Sequence, residues 1–223
     1  LVSIKSNIHS ILNSIPKNVS LIAVSKTKPD SAILEAYNAG QRIFGENKIQ
    51  EMVEKHEVLP KDIEWHMIGH LQSNKVKYMA PFVSLIHGVD GLKKLEEINK
   101  QAIKNNRIID CLLQIKIATE ETKFGLSIED SNKLLESDEF KKLTHIHIKG
   151  FMGMASFTND ETIVKNEFRI LKKYLNSTKN YELTNFTPSI LSMGMSGDYK
   201  IAIEEGSNMI RVGSSIFGER NYI

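Results

Sequence analysis

The chain is 223 residues long, 41% hydrophobic and 25% charged, with a formal net charge of +2. That length and balance fit one globular domain with a full core, and so small a charge gives no electrostatic ground for binding nucleic acid or a membrane surface. The single cysteine, Cys111, excludes an internal disulfide, and within the apolar run 108–117 it reads as a small buried hydrophobe rather than a reactive thiol.

At the amino end, Ile4, Ile8, Ile11, Leu12 and Ile15 recur at helical spacing up to Pro16, so a helix is expected there rather than a secretory signal. Leu21 to Ser25 read as a buried strand. Pro29 stops the run, and Asp30 is placed as the cap of a helix begun by Ile33, Leu34 and Tyr37. After this first strand at 21–25, others are expected near 42–45, 64–69, 84–89, 110–117, 145–151, 189–194 and 208–213. Helices fill the intervals, most clearly over 31–39, 91–105, 128–137 and 161–176. The last of these carries Ile163, Val164, Phe168, Leu171, Tyr174 and Leu175 on one side, with Lys and Glu opposite. No stretch approaches the ~20 apolar residues of a membrane span, and a cytoplasmic protein is expected.

Strands alternating with helices in this way point to parallel strands joined by right-handed crossovers. The expected fold is α/β: a single (β/α)8 TIM barrel over residues 1–223, with an extra N-terminal helix before the first strand. A doubly wound open sheet alternates in the same way, and periodicity does not separate the two. Only about ten residues follow the last strand, so no second domain is expected.

Lys26 stands just past the first strand, in Ala23-Val24-Ser25-Lys26-Thr27-Lys28. In a barrel that end of the strand carries the active site, and a lysine partly desolvated there is able to form an imine with an aldehyde. The last two strands each run into a glycine-serine turn: Ser192-Met193-Gly194-Met195-Ser196-Gly197-Asp198, then Arg211-Val212-Gly213-Ser214-Ser215-Ile216-Phe217-Gly218. Gly194 and Gly197 are expected to let backbone N–H groups approach an anion, with Ser196 adding a hydroxyl. Strands 1 and 8 of a closed barrel are neighbours, so lysine and phosphate cup would face each other across one mouth. An imine-forming lysine beside a phosphate cup suggests pyridoxal 5′-phosphate, with Arg211 as partner of the pyridine nitrogen. Arg211 lies two residues before Gly213, so alternation points both to the same side.

At these residues the chain resembles the pyridoxal phosphate homeostasis family. The matching motifs are Ala23 to Pro29, Phe44-Gly45-Glu46-Asn47, the block from Trp65-His66 to Asn74-Lys75, Ser192 to Asp198, and Arg211 to Gly218. What the resemblance implies is a pyridoxal phosphate-binding barrel of fold type III, similar to the barrel domain of alanine racemase but without that enzyme's second domain. It implies Lys26 as the Schiff-base lysine, Ser196, Gly213 and Ser214 as phosphate contacts, and Arg211 at the ring nitrogen. Asn47 would line the ring, and His66 and Met193 are also placed at the cofactor. The Gln72-Ser73-Asn74-Lys75 turn and Glu121-Thr122-Lys123-Phe124-Gly125 match further family segments, whereas Lys116 and Ser214 stand where asparagine and threonine are frequent.

The resemblance implies a carrier or regulator of cytoplasmic pyridoxal phosphate, with no established reaction and with apo forms of enzymes that use the cofactor as partners. Arginine only donates hydrogen bonds, so a ring nitrogen facing it stays unprotonated and is a poor electron sink. No tyrosine or cysteine stands at a motif position as a second base, which places carrier ahead of amino-acid racemase. A barrel enzyme acting on a phosphorylated metabolite without a cofactor would explain the turns but not Lys26. No metal site and no catalytic residue are expected, and a monomer is favoured.

Overall fold

The computed structural model describes residues 3–120 and 124–219. Helix α1 (Ile4–Ser14) starts where the Ser3 hydroxyl accepts the Ser6 N–H at 3.2 Å, and it buries Ile8 and Ile11. Strands and helices then alternate as β1 (Ser20–Val24), α2 (Asp30–Asn38), β2 (Ile43–Glu46), α3 (Ile49–Val58) and β3 (Glu64–Met67). A 3-10 turn at Ser73–Lys75 leads into α4 (Val76–Met79), followed by β4 (Leu85–Val89), α5 (Leu92–Lys104) and β5 (Ile109–Gln114). Next come α6 (Ile128–Glu136), the short α7 (Asp138–Lys141), β6 (Ile146–Met152), α8 (Glu161–Ser177) and β7 (Phe186–Ser192). The run ends with α9 (Tyr199–Glu204), β8 (Met209–Val212) and α10 (Ser214–Phe217).

All eight strands pair in parallel, in chain order, and close into a barrel. The decisive pairing is β1 with β8, where Ile22 stands opposite Arg211 and Ala23 opposite Val212. An open sheet would leave no such seam. Closure also leaves no sheet edge to be covered. One expectation at the residue level is corrected: Asp30 is the first residue of α2, which has Pro29 at its N-cap position and no side-chain cap bond. Its carboxylate still lies in the first helical turn, where the helix dipole favours negative charge.

Alternation along the strands divides the core in two. Outward residues such as Ala23, Phe44, Trp65 and Phe151 pack against the helices, in one large cluster with Ile33, Met52 and Phe168. Trp65 is fully buried with Phe44 6.1 Å away, ring centre to ring centre. Inward residues Ile22, Leu85, Leu112, Met152 and Met209 form a separate apolar floor inside the barrel. Burying each of these larger side chains is worth roughly 1.5–3 kcal/mol. Cys111 is fully buried, and burial pushes its thiol well above the ordinary range, so it packs as a hydrophobe. No helix among the described residues is long and apolar enough to cross a membrane.

Candidate functional site: the mouth of the barrel

The period of two that makes the floor also builds the site above it. Along β1 and its extension, Ile22 belongs to the floor, whereas Val24 and Lys26 line a cavity. Along β8, Met209 belongs to the floor, whereas Arg211 and Gly213 line the same cavity. The cavity measures about 580 Å³ and lies past the carboxyl ends of the strands. Six of the residues expected at a site meet there: Lys26, Asn47, Ser196, Arg211, Gly213 and Ser214. Asn47 is held by a close approach, because a side chain on Gly69 would put its Cβ 2.3 Å from the Asn47 carbonyl oxygen.

His66 and Met193 do not line the cavity. Met193 follows Ser192, which faces inward, so alternation turns Met193 outward into the helix-side core. His66 does point into the barrel, but it lies buried below the cavity. Its Nδ1 is 3.0 Å from His87 Nε2, and His87 Nδ1 is 2.9 Å from Ser192 Oγ. Ser192 Oγ in turn accepts from Arg211 Nη1 at 2.6 Å. The four residues make one buried polar layer between floor and cavity.

Arginine has no acceptor atom, so at the Arg211 contact Ser192 Oγ accepts. A serine hydroxyl accepts up to two bonds besides donating one, so the directions of the Ser192–His87 and His87–His66 contacts are set by the histidine tautomers. Burial keeps both imidazoles neutral: it lowers His66 to about 3 and His87 well below its usual value. Arg211 is anchored further by Nη1 to the Ser192 carbonyl at 2.7 Å and Nη2 to the Gly153 carbonyl at 3.2 Å. Burial lowers its pKa to about 10, opposed by Asp198, so at neutral pH it stays a cation.

The two glycine-serine turns touch each other. The Gly213 N–H donates to Ser196 Oγ at 3.2 Å, and Ser214 opens α10 beside it. Gly197 lines the cavity, and nothing lies within 4 Å of where its Cβ would be. Gly194 has a different task. With φ at +98° and a would-be Cβ 2.6 Å from Ala202 Cβ, it packs the turn against α9 instead of facing the cavity.

Elsewhere the expected residues scatter. The 3-10 turn at Ser73–Lys75 is not part of the cavity wall, and Lys116 is exposed, with its N–H donating to the Leu126 carbonyl at 2.9 Å. Glu121, Thr122 and Lys123 lie outside the described residues. Sequence reasoning missed Ser156 and the 157–159 loop on the cavity wall, and also His87. For His87 a signal existed: a histidine inside the apolar run of β4, two residues after the inward Leu85.

Fold and site together define a barrel of the alanine racemase type: the family model described as alanine racemase, N-terminal domain, matches residues 1–221. The chain is 40% identical over 203 residues to the pyridoxal phosphate homeostasis protein of Aquifex aeolicus (strain VF5), covering 91% of this chain and 87% of that one. It is 40% identical over 221 residues to the protein of that name from Schizosaccharomyces pombe, covering 97% and 90%. The chain belongs to the pyridoxal phosphate homeostasis protein family, within the wider alanine racemase N-terminal domain family. Among solved structures, PipY of Synechococcus elongatus PCC7942 with PLP bound superposes with a TM-score of 0.87 at 33% identity, covering 97% of this chain and all of PipY. Alanine racemase of Bartonella henselae shares the fold alone, with a TM-score of 0.73 at 16% identity over 97% of this chain and 60% of the enzyme.

Proposed function

We propose that this protein binds pyridoxal 5′-phosphate in the barrel mouth, with Lys26 as its covalent anchor, and that it carries or buffers the cofactor for vitamin B6 homeostasis. The observation that carries the reading is the donor set on one cavity: an amine, a guanidinium held charged, and two hydroxyls on adjoining glycine turns. These match, group for group, a ligand with an aldehyde, a pyridine nitrogen and a phosphate. The cofactor supplies an electrophilic carbon for an amine and, in enzymes, a sink for electrons. The protein's own part is positional. Ser196, Ser214 and the Gly213 turn would hold the phosphate, Arg211 would donate to the ring nitrogen, and Asn47 would flank the ring. The PLP-bound structure of PipY supports the ligand, and the names of the relatives support the supply role.

A carrier fits this geometry better than a racemase. Arg211 is locked as a donor by its relay, so the ring nitrogen facing it stays unprotonated. Among the described residues lining the cavity there is no Tyr, Cys or His to move a second proton opposite Lys26. The same reading takes residues 1–223 as one domain, a cytoplasmic monomer that passes its cofactor to apo-enzymes. The test is spectroscopic. Wild type mixed with pyridoxal 5′-phosphate and then freed of unbound ligand should stay yellow, and Lys26→Ala treated in the same way should not, while melting within a few degrees of wild type. A Lys26→Ala protein with unchanged absorbance, or a colourless wild type, would sink the proposal.

A further inference from the structure

Two lysines, Lys26 and Lys28, border the same cavity, and a ligand with one aldehyde has to choose between them. The chain around Lys26 is unusually constrained. The Lys28 N–H donates to the Ser25 carbonyl at 3.0 Å, which makes 25–28 a tight turn with Lys26 at its second position. Thr27, the third residue, has φ at +63°, in the left-handed region where glycine is the usual occupant.

A buried ionic cluster holds the residues on both sides of Lys26. Ser25 Oγ donates to Glu46 Oε1 at 2.6 Å, and Lys55 Nζ donates to the Ser25 carbonyl at 2.8 Å. The Thr27 N–H donates to Glu51 Oε1 at 2.6 Å. Lys55 joins the two acids, at 2.8 Å to Glu46 and 2.7 Å to Glu51. Glu46 and Lys55 are buried, and the second oxygen of Glu46 is buried without a partner, a costly arrangement for an ornament. Lys28 is held differently, by the carbonyls of Phe217, Gly218 and Glu219 at 3.1–3.2 Å.

We infer that Glu46, Glu51 and Lys55 are positioning residues: by pinning Ser25 and Thr27 they aim Lys26 into the cavity and make it, rather than Lys28, the lysine that takes the ligand's aldehyde. The chemistry is an ordinary condensation. The neutral amine adds to the aldehyde carbon, water leaves, and the carbon–nitrogen double bond forms without any change of redox state. The inference rests on the cofactor reading above.

The test uses the whole chain and pyridoxal 5′-phosphate, with borohydride reduction and fragment mass spectrometry to divide the label between Lys26 and Lys28. Glu51→Ala is the main variant, because this side chain is partly exposed, at 23%, and its loss leaves the Glu46–Lys55 pair intact. Glu51→Gln is its conservative partner, keeping an oxygen for the Thr27 N–H. Wild type should carry its label on Lys26. Glu51→Ala should raise the share on Lys28 about tenfold, the scale of one lost hydrogen bond to a charged acceptor, and Glu51→Gln should fall between. A merely structural acid would change the melting temperature without moving the label. If both variants label Lys26 as wild type does, at the same rate, the clamp is overturned and the cofactor reading stands. If wild type takes no label on either lysine, the cofactor reading falls and the choice of lysine falls with it.

Discussion

Ser196 and Ser214 come from separate strand-end turns, yet they border one cavity and are linked through the Gly213 N–H. Each hydroxyl facing a phosphate is worth roughly 1.5–3 kcal/mol. Replacing both by alanine should weaken pyridoxal 5′-phosphate at least about tenfold in a titration followed by absorbance, while pyridoxal without the phosphate binds nearly as before. Equal losses for the two ligands would put the phosphate elsewhere. At this scale the sequence was legible wherever alternation and turns suffice. Lys26, Arg211 and Gly213 each lie an even number of residues from a floor residue, so their facing could be read directly. Depth could not. His66 faces inward like the cavity residues but sits one layer lower, and only the stacking of neighbouring strands in the closed barrel shows which layer a residue occupies. Met193 shows the opposite case: it sits inside a phosphate-turn motif, but its position in the alternation turns it outward.

At the scale of elements, strands β3, β4, β7 and β8 contribute one residue each to the polar layer, and that layer has a pH signature. His66 is held near 3 by burial, against about 6.5 in an unfolded chain. A base whose pKa is depressed on folding stabilises the fold fully above the unfolded value and loses that contribution as pH falls. Stability should therefore drop between pH 7 and pH 5, by about 2 kcal/mol for one such histidine. Glu46 acts in the opposite sense. Burial raises it to about 7, so its contribution is present below the ordinary carboxylate range and lost as pH rises through 7. The two effects are separated by variant. His66→Asn keeps a hydrogen-bond partner for His87 without a titrating ring, and its urea midpoint should fall less than that of wild type between pH 7 and 5. Parallel curves would mean that His66 takes up its proton equally in the folded and unfolded chain, so that burial does not depress it. The element boundaries themselves were largely readable, because apolar runs and helical stripes mark them. The polar partners were not, because the bonds Glu46–Lys55 and His66–His87 join residues whose meeting depends on tertiary packing.

At the scale of the molecule, the count of strands and helices pointed to a barrel but their alternation did not exclude an open sheet, and the β1–β8 seam settles it. That seam is also what makes the site, since it brings the turn bearing Lys26 beside the turns bearing Ser214 and Ser196. No local pattern contains that fact; it follows only from closing eight strands in order. A crystal structure of the protein grown with pyridoxal 5′-phosphate tests this most directly. Continuous density should join Lys26 Nζ to the ligand, with the phosphate against Ser196, Gly213 and Ser214 and the ring nitrogen within hydrogen-bond reach of Arg211. Density attached to another lysine, or a phosphate seated away from those two turns, would contradict it.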